Sequence, residues 1–221
     1  MPEQRRKQKN SAVKLTILFT GIYALITQQV LANSWIRRLD ESIYDRSFLL
    51  LEPNKTPTLV ILIDDLGLRW VTSAILLITA ILISKRFNSW RPVNLSLLAL
   101  FLLNLTVGAS KLLFGRTKPS TGYDLFFTDS GLSYPSGHAA NAILSWGMLA
   151  YLIFRYSHKE PFEGMRLTWF VSIVTIGVCL ASLYRNTHWF SDLLGGLFIG
   201  SALLVAIIAI DRSITSDRQP S

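Results

Sequence analysis

Two histidines, four cations and one carboxylate lie in three short stretches of this sequence, each beside an apolar run. The first stretch is Lys111 followed by Gly115-Arg116-Thr117-Lys118-Pro119. The second is Tyr134-Pro135-Ser136-Gly137-His138, and the third is Tyr184-Arg185-Asn186-Thr187-His188-Trp189-Phe190-Ser191-Asp192. Lys111, Arg116, Lys118 and Arg185 suit phosphate oxygens through charge-assisted hydrogen bonds. Ser136 and Gly137 stand at a predicted helix start, where free backbone N–H groups and the helix dipole favour an anion. His188 and Asp192 are four apart, which puts them on one face if the helix begins by Thr187. A carboxylate on one imidazole nitrogen fixes the tautomer and leaves the other nitrogen as base or nucleophile. A second histidine, His138, can then give a proton to a leaving oxygen. The set is compatible with phosphoryl transfer to histidine and then to water.

Taken singly, each piece is ordinary. Pro and Ser begin many helices, and a lysine at a span end usually snorkels. Order, spacing and a common predicted side carry the argument. Two histidines and Asp192 form a conceivable metal set, but the surrounding cations argue against a bound cation. The third histidine, His158, falls in a predicted solvated loop.

The elements that must position these residues are apolar. The chain has 221 residues, half of them hydrophobic and only 16% charged, with a mean hydropathy of +0.37. Soluble domains carry roughly 25% charged residues, so disordered, collagen-like and low-complexity classes fall away. A net charge of +8 and a pI near 9.8 hint at nucleic acid. That reading needs cations gathered on a soluble face, and here they are scattered between apolar runs, so no nucleic-acid partner is expected. The single cysteine, Cys179, permits no intrachain disulfide and no multi-cysteine metal site, and reads as a small buried hydrophobe.

Apolar runs near 15–31, 70–85, 93–114, 139–155, 167–184 and 190–210 are each close to bilayer length. The expected fold is therefore all-α, an integral membrane bundle of six transmembrane helices. Residues 1–14 form a basic cytoplasmic N-terminus, 15–210 the six-span domain and 211–221 a cytoplasmic tail. A cleaved signal peptide competes for the first run, since Ala32-Asn33-Ser34 offers a small-x-small site. The length of the run favours a retained span. Ser34 to Lys55 mixes apolar and charged residues, as an interfacial helix does. Asp64, Asp65 and Arg69 mark the polar entrance of the second run, with a catalytic role for the acidic pair as the lesser reading. Gly196 and Gly200 suggest close helix packing inside the bundle.

Six spans put both termini on one side. The whole excess of +8 falls on that side and the other sums to zero, so the positive-inside rule places both termini in the cytoplasm. The three reactive stretches then share the extracytoplasmic face of a cell membrane.

These stretches resemble the type 2 phosphatidic acid phosphatase superfamily, in its membrane lipid phosphatase branch, which includes bacterial phosphatidylglycerophosphate and undecaprenyl-diphosphate phosphatases. The family pattern is Lys-x6-Arg-Pro, then Pro-Ser-Gly-His, then Ser-Arg-x5-His-x3-Asp. Here it reads Lys111-x6-Lys118-Pro119, Pro135 to His138, and Ala181-Ser182-x5-His188-x3-Asp192. The resemblance implies a metal-independent, cofactor-free lipid phosphate or diphosphate phosphatase. It implies His188 as the nucleophile that forms a phosphohistidine, Asp192 as its orienter and His138 as the acid. It also implies Lys111, Lys118, Ser136 and Gly137 on the phosphate oxygens. Lys118 in place of arginine keeps the charge and loses the bidentate fork. Ser182 stands where the pattern has its second arginine, so Arg185, with Arg116, is expected to supply the missing charge. The expected partners are a lipid phosphate and the bilayer. The alternative is a degenerate member that binds or transports phospholipid head groups without hydrolysis.

Overall fold

A bilayer offers the backbone no hydrogen-bond partner but itself, so long apolar runs become helices. A computed structural model describes residues 2–50, 56–128, 131–156 and 161–214. Lys55, His158 and the part of the C-terminal tail beyond 214 lie outside the described residues. Within those described, the helices run α1 (Pro2–Leu31), α2 (Trp35–Leu50), α3 (Thr58–Asp65), α4 (Arg69–Phe87), α5 (Arg91–Phe114), α6 (Gly137–Asn141), α7 (Gly147–Tyr156), α8 (Pro161–Tyr184) and α9 (Phe190–Ser213). A π-helical turn, Ala142–Trp146, joins α6 to α7 into one rod.

Among the described residues, six helices are long and apolar enough to cross a membrane: Lys9–Leu31, Arg69–Phe87, Arg91–Thr121, Gly137–Tyr156, Gly164–Tyr184 and Phe190–Ser213. The protein is an integral, multi-pass membrane protein. The six apolar runs read from sequence match these spans to within seven residues at either end. Two details differ. The basic N-terminal stretch is already helical and continuous with the first span. A short extra helix, α3, precedes the second span.

The fourth span is the most enclosed. Leu144, Met148 and Leu152 along it are fully buried and share one core with Leu76 and Ala80 of α4, Leu95, Ala99 and Leu103 of α5, Val178 of α8, and Ile199 and Ile207 of α9. Outward faces stay apolar: Ile78, Leu82, Phe101, Leu112, Ile173 and Leu180 are exposed, as lipid contact requires. The small residues of the last span do pack within the bundle. A Cβ on Gly196 would press into the Ser136 carbonyl and lie 3.1 Å from Ala139 Cβ, and one on Gly200 would lie 3.0 Å from the Ala140 carbonyl. At the end of the bundle away from the histidines, buried Asp211 accepts from Arg91 Nε at 2.6 Å and Arg155 Nη1 at 2.7 Å, with the Tyr151 hydroxyl also bonded to it. That cluster ties three spans together at one point.

Candidate active site

The three reactive stretches meet at one end of the bundle. Lys111 lies in the last turn of α5, Gly137 opens α6, Arg185 follows α8, and Asp192 sits in the first turn of α9. The His138 and His188 rings are 5.9 Å apart, centroid to centroid. A Cβ built on Gly137 would be 4.0 Å from Lys111 Nζ.

His188 and Asp192 do pair, but not as neighbours on a helix face. The helix begins at Phe190, so His188 precedes it. Asp192 folds back as a capping residue: its Oδ2 accepts the Trp189 N–H at 3.0 Å and the Ser133 hydroxyl, and stands 3.5 Å from His188 Nδ1. Helix N-termini leave backbone donors unsatisfied, and an acidic side chain in the first turn satisfies one of them. The same carboxylate therefore starts the helix and orients the imidazole. His188 Nε2 makes no hydrogen bond among the described residues.

Arg116 is found somewhere other than expected. Its side chain has no exposed surface. Nη1 donates to Asp192 Oδ1 and to Ser191 Oγ, both at 2.7 Å; Nη2 donates to Asp40 Oδ2 at 2.8 Å; and Nε donates to Asp124 Oδ1 at 2.8 Å. Phe126 and Trp189 flank the guanidinium, with ring centroids 5.2 and 5.3 Å from Cζ. With every nitrogen engaged and no open surface, Arg116 has nothing to offer a phosphate, and the expectation that it joins the phosphate set is corrected. It lies behind Asp192 instead.

Asp40, Asp124, Ser133 and Ser191 complete this network. Asp40 comes from α2 and accepts the Ser191 N–H at 2.8 Å and the Ser191 hydroxyl at 2.5 Å. Burial raises the Asp40 carboxyl above its ordinary value, and the Arg116 charge offsets only part of that rise. Arg37, also on α2, holds Asp124 at 2.8 Å. Below the site, burial also raises the Tyr134 phenol above its usual range, so it remains a neutral partner for Thr27 at 2.7 Å.

The remaining cations are more open. Lys111 donates to the Leu132 carbonyl. Lys118 is exposed, and its ammonium makes no hydrogen bond among the described residues. Arg185 donates through Nη1 to Asp64, while its side chain stays about one-third exposed. Ser136 is buried, and its hydroxyl accepts the Ala139 N–H as an N-cap. The amides of Gly137 and His138, at the first helical positions, have no acceptor within the helix. Asp64 is also here. Rather than marking a polar entrance, it is buried, with Ser182 Oγ 2.5 Å from its Oδ1. Among the described residues, no three His, Cys, Asp or Glu side chains are placed to hold a metal ion.

The family profile of the PAP2 superfamily matches residues 92–215, which contain all three motifs. Phosphatidylglycerophosphatase B of Bacillus subtilis (strain 168) is 27% identical over 94 residues, 41% of this chain. That alignment spans 45% of the relative's own length, less than half. The crystal structure of the first transmembrane PAP2 type phosphatidylglycerolphosphate phosphatase from Bacillus subtilis superposes with a TM-score of 0.74. It shares 21% identity and covers 94% of this chain and 98% of that one, which is a likeness of fold.

Proposed function

Because the chain belongs to the PAP2 superfamily, we propose that it is a membrane lipid phosphate or diphosphate phosphatase working through a phosphohistidine at the extracytoplasmic face. The observation that carries this reading is the chain of contacts from Arg116 through Asp192 to His188, with the His138 ring 5.9 Å beyond.

In the first step His188 Nε2 attacks the terminal phosphorus. The bond from phosphorus to the lipid oxygen breaks, and the departing oxygen takes a proton from His138. Asp192 holds the Nδ1 proton and stabilises the charge that grows on the imidazole, the orienting role of a triad carboxylate. In the second step water attacks the phosphohistidine, the P–N bond breaks, and neutral His138 accepts the water proton. Inorganic phosphate leaves and both histidines return to their starting states. Lys111, Lys118, Arg185 and the amides of Gly137 and His138 hold the phosphoryl oxygens. Charge on those oxygens grows and shifts along the reaction, so fixed donors act most strongly where water is excluded.

The apolar flank fits a substrate whose chains stay in the bilayer while its head group reaches the cations. The excess of basic residues at the opposite end supports the extracytoplasmic assignment. Phosphatidylglycerophosphate is the first substrate to test, given the relative's name, beside phosphatidic acid and an isoprenoid diphosphate. The test is phosphate release by the purified protein in detergent, with chelator present, for wild type and His188→Ala. Release by wild type alone is the expected result. Release that survives His188→Ala overturns the mechanism, and absence of release from every lipid supports a head-group binder.

A further inference from the structure

Asp64 is an ionisable side chain 1% exposed at the start of the second span's approach. A carboxylate there is costly unless it is paired, and three site elements converge on it. Its Oδ1 accepts the Ser182 hydroxyl at 2.5 Å, its Oδ2 accepts Arg185 Nη1, and that same oxygen lies 4.0 Å from His138 Nε2. The turn after it is fixed as well. Trp146 Nε1 donates to the Leu66 carbonyl at 2.9 Å. A Cβ on Gly67 would lie 3.0 Å from both Cβ and the carbonyl oxygen of His138 and 2.6 Å from Val178 Cγ1. The segment from Asp64 to Gly67 therefore backs His138 with no room to spare.

Ser182 occupies the place of the third motif's arginine, and its hydroxyl is spent on Asp64. The carboxylate thus lies where that arginine's charge would be held, and Arg185 reaches it from just beyond the helix end. Among the described residues only Nη1 of Arg185 is engaged. Nε and Nη2 keep their donors. We propose that Asp64 is a positioning residue that draws Arg185 over the position vacated at Ser182 and sets its free donors to take a phosphate oxygen beside His138. The inference rests on the phosphatase reading above for its substrate. Asp64 acts through Arg185 and does not touch phosphate. A packing role alone asks for no charge at this spot, since a neutral group of the same shape fills it without a buried ion.

The test is a double-mutant cycle on the full chain in detergent, with Asp64→Asn, Arg185→Gln and the pair. Binding of inorganic phosphate is read by calorimetry, and KM and kcat are read with phosphatidylglycerophosphate. Each single change is expected to weaken phosphate binding roughly tenfold and to raise KM more than it lowers kcat. The pair is expected to be no worse than either single, because both remove one device. Asp64→Glu is expected to recover most of the loss. Losses that multiply in the pair, or Asp64→Asn binding phosphate like wild type, overturn the proposal. Should Asp64→Asn not fold, the pair Ser182→Arg, Arg185→Gln keeps the carboxylate partnered. Recovered phosphate binding relative to Arg185→Gln supports the proposal, and absence of recovery overturns it. A wild type that hydrolyses no lipid yet follows the cycle in phosphate binding sinks the phosphatase reading and leaves the role of Asp64 standing. Hydrolysis with a flat cycle sinks the role of Asp64 alone.

Discussion

Arg116 and His188 hold opposite oxygens of one carboxylate: Nη1 of Arg116 is 2.7 Å from Asp192 Oδ1, and Nδ1 of His188 is 3.5 Å from Oδ2. The arginine fixes the plane of the carboxylate, and the carboxylate fixes the imidazole. Asp192→Asn keeps the shape but loses the charge and offers an amide in place of one acceptor. A fall in kcat of about a thousandfold or more, with KM little changed, is expected from comparable triad changes. Steady-state kinetics on a lipid phosphate checks it, and an equal fall in kcat and rise in KM contradicts an orienting role.

Arg116→Ala leaves Asp40, Asp124 and Asp192 buried together with no guanidinium among them. Breaking a buried ion pair from one side costs about 3–5 kcal/mol. Thermal unfolding in detergent should show a markedly lower midpoint, with inactivity following from misfolding. Arg116→Lys keeps the charge without the fork and should fall between the two.

Asp40 titrates higher in the folded protein than its unperturbed value of 3.8. A carboxyl raised by folding contributes stability that is complete below its unfolded value and is lost as pH rises through the folded one. Asp40→Asn does not titrate. The midpoint difference between wild type and Asp40→Asn should therefore move in favour of the variant as pH rises from 3.8 toward neutrality. A difference independent of pH contradicts the sign.

Gly196 lets the sixth span approach the start of the fourth so closely that a methyl group has nowhere to go. Gly196→Ala pushes Ser136 and Gly137 away from the Asp192 end of α9. Both the unfolding midpoint and kcat should drop, whereas alanine at Gly21, where a Cβ would meet nothing within 4 Å, should be silent in activity.

Lys118→Arg restores the fork at an exposed position whose ammonium makes no hydrogen bond among the described residues. Phosphate inhibition should tighten by several-fold with stability unchanged. A weaker inhibition contradicts a place for this side chain at the phosphate.

The spans were legible because a bilayer demands long apolar runs, and the motifs because their residue types are rare beside such runs. The capping geometry of Asp192 was not legible. Spacing of four fits a helix face and an N-terminal turn equally well, and only the start at Phe190 decides. The burial of Arg116 is not legible in the sequence, because a cation beside a phosphate motif looks the same whether or not acids await it elsewhere in the chain. A signal did exist. Asp40 follows Ile36 by four residues on an amphipathic helix, and Ile36 is buried, so an acid on that face needed a cation. Asp64 carried no such cue, since the helix bringing it to Ser182 is only eight residues long and its partner lies far along the chain.

The buried network also has an order along the chain. Arg37 and Asp40 emerge first, and Arg116 and Asp124 follow; these two arginines and two acids pair among themselves. Their formal charges cancel before the chain reaches the last span. Asp192 arrives afterward as a surplus negative charge. Within this cluster Asp192 is the acid in excess, and it comes last along the chain, set beside His188, where the imidazole can answer it.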